Sequence, residues 1–383
     1  MASPVAAAMD EWPTLGLIVN PVAGMGGSVG LKGTDGPDVL EDARRRGATP
    51  QAPDRARNAL TRLAESGAPP RVLTGSGELG ESPAREAGFD PLVVHRRGPG
   101  ASSPADTRTL AEIMMSRPVD LILFVGGDGT ARDVLGAVGD RVPLLGVPAG
   151  VKMHSAVFGT SPRNAGHLAA LFLEGSPRAL LREAEVMDLD EVAFREDRVS
   201  AQLYGYARSP YERHLAQNAK SGSRVGEDGS LAAAAQQVAA RMRPGCLYLM
   251  GPGTTTRRVT DALGVPSTLL GVDAVLDGNS VGLDLDEQSL LRLATDHETY
   301  IVVGVLGGQG SLFGRGNQQL SAAVIRRASR DRIIVISSIE KLAALGGAAL
   351  RVDTGDDELD SQLSGYIRVI TGYNRSTVCA IRA

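Results

Sequence analysis

The sequence is poor in the residue types that mark several classes of protein. It has only two cysteines, Cys246 and Cys379, far apart in a chain of 383 residues. This spacing gives neither a zinc motif nor a disulfide framework, and it fits a reducing cytoplasm. The formal net charge is -4, whereas a protein that coats nucleic acid usually needs a basic surface. We therefore expect no nucleic-acid partner.

Long apolar runs are also missing. Residues 1–11 lack the basic start and the apolar stretch of a signal peptide, and no later segment reaches membrane-spanning length. We expect a cytoplasmic protein with no membrane partner. Apolar residues still make up 43% of the chain, and its length exceeds that of a typical single core, which predicts two lobes.

Glycine is abundant, with 47 residues, and the most informative glycines follow an apolar run. Residues 119–125 predict a buried strand, residues 126–130 (Gly-Gly-Asp-Gly-Thr) a tight loop, and residues 131–138 a helix. Glycines at the end of a parallel strand let the backbone approach a ligand, and the N–H groups that open a helix attract anions. Asp128 would repel a phosphate there unless it binds a metal or removes a proton. An ordinary turn is the alternative, but the flanking strand and helix favour a phosphate-bearing ligand and a catalytic Asp128.

The remaining segments predict an α/β protein. Short apolar strands alternate with amphipathic helices over residues 1–185, which indicates an N-terminal Rossmann-like lobe with a parallel sheet and a nucleotide-binding role. At residue 186 the spacing of the apolar residues changes, and residues 186–194 and 199–206 predict a β-hairpin. This hairpin would begin a second, mixed α/β lobe for substrate binding over residues 186–296. Residues 297–383 continue as a C-terminal α/β segment, and its return to the first lobe is left open.

Two loops resemble those of one enzyme superfamily. The string Gly126–Thr130 resembles the signature of NAD kinases and of their relatives, the diacylglycerol-type lipid kinases. The glycine-rich loop Asn20–Gly27 resembles the first, Asn-Pro-containing loop of these enzymes. The overall pattern of the sequence is similar to that of a divergent ATP-NAD kinase-like branch, whose members are often found beside acetoin-catabolism genes. The resemblance implies that Asp128 activates the hydroxyl that receives the phosphoryl group, and that the two loops bind the nucleotide through Asn20, Gly24, Gly26, Gly27, Gly126, Gly127, Gly129 and Thr130.

Two further segments resemble the same enzymes less closely. The pair Asp190-Glu191 is similar to an Asn-Glu pair that meets the ribose and nicotinamide portion of the substrate, and an exposed hairpin edge is the alternative. In the segment after residue 146, Pro148 and Ala149 stand where the typical kinase carries polar groups. Lys152 could restore this polarity as a phosphate-binding cation or lie on the solvated surface, and we expect His154 to be a structural histidine.

The second lobe has its own candidate residues. The loop at residues 251–256 ends a strand in glycines and opens a helix with three threonines, a pattern that resembles the Thr-Pro-Thr-Gly-Ser-Thr loop of NAD kinases. An N-cap role for Thr254 is the alternative. Asp273 lies inside an apolar strand, so it is either paired or directed into a site. The candidate ligand-binding residues are Gly253, Thr254, Thr255, Thr256, Asp273, Gln309, Arg315 and Asn317.

The resulting prediction is a kinase that uses ATP and Mg²⁺ to phosphorylate the adenosine ribose 2′-hydroxyl of NAD. The partners would be small-molecule nucleotides, and we expect a homo-oligomer. A kinase of another hydroxyl, on a lipid or small polyol, is one alternative. A module that senses NAD or ATP without turnover is another. No residue is assigned as a metal ligand.

Overall fold

The computed structural model describes residues 12–31, 37–67, 69–98, 102–150, 153–189, 201–216, 228–306 and 310–383. The chain divides into two compact units. The described residues of the first unit fall within Met1–Gly24, Pro50–Leu189 and Ala201–Ala219, and those of the second fall within Met25–Thr49 and Lys220–Ala383.

Strands and helices alternate through most of the chain. The strands are β1 (Thr14–Val19), β2 (Arg71–Gly75), β3 (Leu92–His95), β4 (Leu121–Gly126), β5 (Leu144–Pro148), β6 (Leu180–Leu189), β7 (Ala201–Tyr211), β8 (Cys246–Met250), β9 (Asp273–Leu276), β10 (Asn279–Gly282), β11 (Glu298–Gly304), β12 (Ser311–Phe313), β13 (Ile333–Ile336), β14 (Leu350–Val352), β15 (Gly365–Gly372) and β16 (Arg375–Arg382). The helices are α1 (Pro37–Arg45), α2 (Ala52–Glu65), α3 (Glu81–Glu86), α4 (Pro104–Met115), α5 (Asp128–Val138), α6 (Pro162–Leu173), α7 (Asp228–Ala240), α8 (Thr254–Leu263), α9 (Glu287–Leu293), α10 (Ala322–Ala328), α11 (Ile339–Ala344) and α12 (Asp357–Leu363).

The first unit is built on a five-stranded parallel sheet with the order β3-β2-β1-β4-β5. Strands β1 and β4 are neighbours, and the strand order reverses between them. In open α/β sheets, ligands bind outside the carboxyl ends of the strands at such a reversal. The loops that follow β1 and β4 therefore begin at the position where a ligand is expected.

Strand β4 shows why this sheet is covered on both faces. Its side chains alternate between two cores: Leu123 packs with residues of α2 and α6, whereas Phe124 packs with residues of α4 and α5. All six residues of the strand are buried. A strand buried on both faces needs a continuous apolar sequence, which this run supplies.

Strands β6 and β7 form a long antiparallel hairpin, with register from Leu180↔Tyr211 to Leu189↔Ala201. Ala184, Val186 and Ala207 enter the core formed with α5. The hairpin is consequently part of the first compact unit, which differs from the predicted boundary at residue 186, because long-range packing places both strands there. Residues 190–200, which join the strands, lie outside the described residues.

The second unit contains a nine-stranded mixed sheet with the order β10-β9-β8-β11-β13-β15-β16-β14-β12. The β9–β10 and β15–β16 pairs are antiparallel, whereas β8–β11 and β11–β13 are parallel. The side chains of β11 alternate between two cores: Val303 packs with α9 and α10, and Val302 packs with α7 and α8. The expected α/β fold, with an N-terminal parallel sheet and a second mixed lobe that contains a hairpin, is confirmed, although the hairpins of the second unit are β9–β10 and β15–β16 and not the predicted one. Within the described ranges, no helix is long and apolar enough to cross a bilayer.

Candidate functional site

Asn20 links the ends of the two central strands of the first unit. Its backbone N–H donates to the carbonyl of Val125 at 3.0 Å. Its side-chain Nδ2 donates to Thr130 Oγ1 at 3.1 Å, and its Oδ1 accepts from the N–H of Val22 at 3.3 Å. The loop after β1 is therefore fixed to the first turn of α5, at the reversal of strand order.

Glycines bring three loops of the first unit into backbone contact. Gly24 has a φ of +74°, and a Cβ atom there would lie 1.8 Å from the carbonyl oxygen of Ala149. A Cβ atom on Gly150 would lie 2.7 Å from the Cα of Gly127. The carbonyl of Gly126 accepts from the N–H groups of Ala149 and Gly150 at 2.9 and 3.1 Å. Side chains at these positions would separate the loops that follow β1, β4 and β5.

Helix α5 begins directly at the end of β4. Its N-cap residue is Gly127, which has no side chain to accept from the first amides of the helix. The first amides of a helix have no partner within it, and together with the helix dipole they favour an anion. Gly129 lies in this first turn, and Thr130 is 5% exposed. The start of α5 therefore offers backbone donors to a phosphate.

The carboxylate of Asp128 is held by the segment that follows β5. Its Oδ2 accepts from the N–H of His154 at 2.7 Å, and its Oδ1 accepts from the N–H of Ser155 at 3.0 Å. The imidazole Nδ1 of His154 lies 3.5 Å from Asp128 Oδ2. Ser155 is itself fixed, because its Oγ accepts from the N–H of Met187 in β6 at 2.9 Å. The protein thus holds a buried carboxylate, 4% exposed, in the first turn of α5.

In the second unit, the three threonines at the start of α8 differ in their surroundings. The N-cap, Gly253, has a φ of +119° and no side chain with which to cap the helix. Thr254 is exposed, whereas Thr255 packs on Gly304 at the end of β11. The hydroxyl of Thr256 donates to the carbonyl of Gly253 at 2.9 Å. Thr254 is therefore the threonine of this turn most accessible to a ligand.

Asp273 is paired within the second unit. Its carboxylate accepts from the N–H of Thr268 at 2.6 Å, from the Thr268 hydroxyl at 2.9 Å, and from the N–H of Asp284 at 2.9 Å. Burial raises the pKa of Asp273 above its ordinary value, and these hydrogen bonds oppose the increase. Asp273 pairs with Met250 across β9 and β8, so it lies at the end of β8 that leads to α8. Its contacts give it a structural role in this loop.

The loop after β12 is organised by Asn317. Its Oδ1 accepts from the N–H of Gly314 at 3.1 Å, and its Nδ2 donates to the carbonyl of Leu312 at 2.8 Å. Asn317 is 1% exposed and the neighbouring Arg315 is 7% exposed. Leu320, at the end of this loop, packs beside Gly251, which follows β8. The loop thus lies near the end of β8.

The predicted site residues fall into two groups, one in each unit. Asn20, Gly24 and the string Gly126–Thr130 come together in the first unit. Gly26 and Gly27 belong to the second unit, where a Cβ atom on Gly27 would lie 3.0 Å from the side chain of Gln318. The predicted residues Lys152, Asp190, Glu191 and Gln309 lie outside the described residues.

The sequence interpretation missed two contacts of the first unit. Ser155 was not predicted, although its N–H binds the Asp128 carboxylate, because a backbone donor leaves no residue-type signal. Arg55 was not predicted either, and its Nη1 donates to the carbonyl of Pro148 at 3.0 Å. In the part of the chain that the structure describes, no three His, Cys, Asp or Glu side chains form a group that could hold a metal ion.

Comparison with known families gives two matches that together span most of the chain. A model of the ATP-NAD kinase N-terminal domain matches residues 15–176. A model of the ATP-NAD kinase C-terminal domain matches residues 244–381. A search of curated proteins gave no match.

Two of the solved structures with detectable similarity come from Bacillus anthracis str. Sterne. A diacylglycerol kinase is 19% identical, with a TM-score of 0.24, and the match covers 47% of this chain and 48% of that chain. A proposed diacylglycerol kinase is 18% identical, with a TM-score of 0.23, and the match covers 47% of this chain and 46% of that chain. The chain therefore spans about half the length of these structures.

Proposed function

The chain belongs to the ATP-NAD kinase family, and from that premise we propose that it transfers the γ-phosphoryl group of ATP to the adenosine ribose 2′-hydroxyl of NAD. The family is one of kinases. The choice of NAD as the acceptor is the specific part of the proposal. The observation that carries the phosphoryl-transfer proposal is the buried Asp128 carboxylate held beside the amides at the start of α5.

The phosphate-binding part of the proposal rests on the loops of the first unit. ATP and NAD both carry phosphates, and the first turn of α5 presents uncapped amides at the strand-order reversal. Gly24, Gly127 and Gly150 keep the adjoining loops free of side chains that would separate them. The nucleotide roles of Thr254, Arg315 and the undescribed Lys152, Asp190, Glu191 and Gln309 remain predictions.

The chemistry needs a group that draws the proton from the acceptor hydroxyl. In the proposed reaction the ribose 2′-oxygen forms a bond to the γ-phosphorus, and the bond from that phosphorus to the bridging oxygen of ADP breaks. The electron pair of the broken bond leaves with ADP, and the hydroxyl proton passes to the Asp128 carboxylate. Catalysis of phosphoryl transfer depends mostly on positioning and on neutralising charge. Asp128 supplies a fixed negative charge near the reacting hydroxyl.

Magnesium would enter with the nucleotide. Mg²⁺ typically keeps several waters and binds through one or two carboxylates together with substrate phosphates. The described residues contain no ready-made group of three metal ligands, and the Asp128 oxygens already accept two amide hydrogen bonds. The residues around Asp128 thus fit an ion that is held mainly by ATP and that would neutralise charge on the phosphates.

The cytoplasmic location and the homo-oligomeric state are likewise proposals.

The test compares the wild-type protein with Asp128→Asn. Both would be incubated with ATP, Mg²⁺ and NAD, and NADP would be measured with a dehydrogenase that accepts only NADP. We expect NADP from the wild type and a loss of about 10²-fold or more in Asp128→Asn, with ATP-dependent thermal stabilisation retained in both. Thermal stabilisation of the wild type without NADP would instead favour another acceptor or a nucleotide sensor. Equal activity of the two proteins would contradict the role of Asp128.

A further inference from the structure

Arg55 joins the first turn of α2 to the end of β5. Its backbone N–H donates to the carbonyl of Gln51 at 3.1 Å, which places the residue in the first turn of the helix. Its guanidinium Nη1 donates to the carbonyl of Pro148 at 3.0 Å. Pro148 is the last residue of β5 and pairs with Gly126, the last residue of β4. The guanidinium therefore lies at the carboxyl edge of the sheet, beside the strand that leads into Asp128.

Helices α2 and α5 cover opposite faces of this sheet. Ala56 of α2 packs into the core that contains Val125, whereas Ala131 of α5 packs into the core that contains Phe124. The strands that end in the glycine-containing loops lie between these two cores. Arg55 thus brings a cation to the strand ends from the face opposite to the start of α5.

The charge of Arg55 is unfavourable for the helix that carries it. Helix α2 begins at Ala52, so Arg55 lies near the positive end of the helix dipole, where a cation destabilises a helix and an anion stabilises it. The N-cap residue, Gln51, makes no side-chain hydrogen bond to the helix start. A phosphate in front of α2 would offset the charge of Arg55 and accept from the first amides of the helix. The start of α2 is therefore arranged for an anion.

The side chain of Arg55 has the chemistry and the access that a phosphate ligand requires. A guanidinium presents several N–H donors in a planar fork that matches phosphate, and it is always charged. Arg55 is half-buried, so a ligand can reach part of its surface. At the end of β5, the side chains of Pro148 and Ala149 carry no charge. A cation from α2 supplies the charge that these two residues do not.

We propose that Arg55 binds a phosphate group of the nucleotide at the carboxyl edge of the first sheet. The ligand chemistry is that of a diphosphate or triphosphate, which belongs either to ATP or to the pyrophosphate of NAD. In a phosphoryl transfer, this contact would position the phosphate and neutralise part of its charge. The inference rests on the proposed function for the identity of the nucleotide, and it adds a binding residue to the same site.

The test titrates ATP and NAD separately and follows the thermal stabilisation of the protein, so it needs no turnover. Arg55→Gln removes the charge but keeps an amide donor for the Pro148 carbonyl. We expect the Kd of ATP, of NAD or of both to rise about 10- to 100-fold, which is the effect of losing a charged hydrogen bond. Arg55→Lys keeps the charge and should give an intermediate Kd. Added salt should weaken binding to the wild type more steeply than binding to Arg55→Gln.

Arg57→Gln is the matched control for the loss of a positive charge from the same helix. Arg57 forms ion pairs with Asp54 at 2.7 Å and with Glu86 at 3.2 Å. Its replacement should leave both Kd values unchanged, because its charge lies against two carboxylates of the protein. If Arg55→Gln does not fold, Arg55→Met, another neutral side chain of similar length, takes its place in the same comparison.

The outcomes separate this inference from the kinase proposal. A Kd that rises for ATP alone assigns Arg55 to the phosphoryl donor, and one that rises for NAD alone assigns it to the acceptor. Wild-type Kd values for both nucleotides in Arg55→Gln would overturn the inference, and NADP formation with unchanged KM would then leave the kinase proposal intact. Equal weakening in Arg55→Gln and Arg55→Lys, with unchanged salt dependence, would reduce Arg55 to a link between α2 and β5. Weakened binding in Arg55→Gln, with no NADP from the wild type, would support the inference and contradict the kinase proposal. No stabilisation of the wild type by either nucleotide would overturn both.

Discussion

Gly24→Ala tests whether the close contact between the loops of the first unit stabilises it. Gly24 has a φ of +74°, and the added Cβ atom would lie 1.8 Å from the carbonyl oxygen of Ala149. That atom belongs to the backbone at the end of β5, so it cannot rotate away. The substitution therefore forces the loop after β1 away from the loop after β5.

The magnitude has two parts that a control variant separates. A left-handed backbone costs an L-residue about 1–2 kcal/mol, and overpacking a tight contact adds about 1–3 kcal/mol. Gly88 has a φ of +87°, but its Cβ would meet nothing within 4 Å. Gly88→Ala should therefore carry only the first cost. Both variants lose the same chain entropy in the unfolded state, so the difference between them should be about 1–3 kcal/mol.

Urea unfolding followed by tryptophan fluorescence measures this difference. The only tryptophan of the chain is Trp12, which is 50% exposed and lies just before β1 in the first unit. We expect Gly24→Ala to unfold at clearly lower urea concentration than Gly88→Ala. NADP formation should also fall in Gly24→Ala and persist in Gly88→Ala. Equal destabilisation by the two substitutions would refute the reasoning from the loop contact.

Two further predictions concern the second unit, and the stacked rings of Tyr248 and Tyr300 provide a near-UV signal for it. Asn317→Ala should lower the free energy of unfolding by about 1–3 kcal/mol, because it leaves a buried amide and a buried carbonyl without partners; the exposed Asn279→Ala should cost much less, and an equal loss would contradict the role of Asn317. Burial raises the pKa of Asp273 above its ordinary value of 3.8, so the folded state holds this proton more tightly than the unfolded state does. The stability that this proton contributes is fully present below the pKa of Asp273 in the unfolded state, and it is lost as the pH rises through the pKa of Asp273 in the folded state. The wild type should therefore lose stability relative to Asp273→Asn over that window, and a constant difference would contradict this sign.

The sequence predicted those parts of the fold in which the residue types match the burial of their positions. The run that became β4 is apolar throughout, since both of its faces are buried, and its end at Gly126 is marked by glycines. Helix α12 was not predicted, because only two of its seven residues, Leu359 and Leu363, are apolar. Strand β16 was not predicted either, because its apolar residues form one short run and do not alternate with polar ones. The boundary at residue 186 was placed differently because Val186 packs into the first core through contacts distant in sequence.

The candidate site shows the same division. Asp128 and its flanking glycines could be identified from a motif, because the motif is defined by residue types: one carboxylate and several glycines, which have no side chain. The partners of the Asp128 carboxylate are backbone amides, and any residue type could have supplied them. For Asp273 the sequence allowed either a pairing or a ligand role, and only the structure reveals its three hydrogen bonds.

The most direct measurement of the central claim follows the phosphoryl group itself. The protein would be incubated with Mg²⁺, NAD and ATP labelled with ¹⁸O in the γ-phosphoryl group, and the product would be fragmented in a mass spectrometer. The account predicts one labelled phosphoryl group on the 2′-oxygen of the adenosine ribose, formed by the wild type and strongly reduced in Asp128→Asn. Label on any other position of NAD, or unlabelled NAD after complete consumption of ATP, would contradict it.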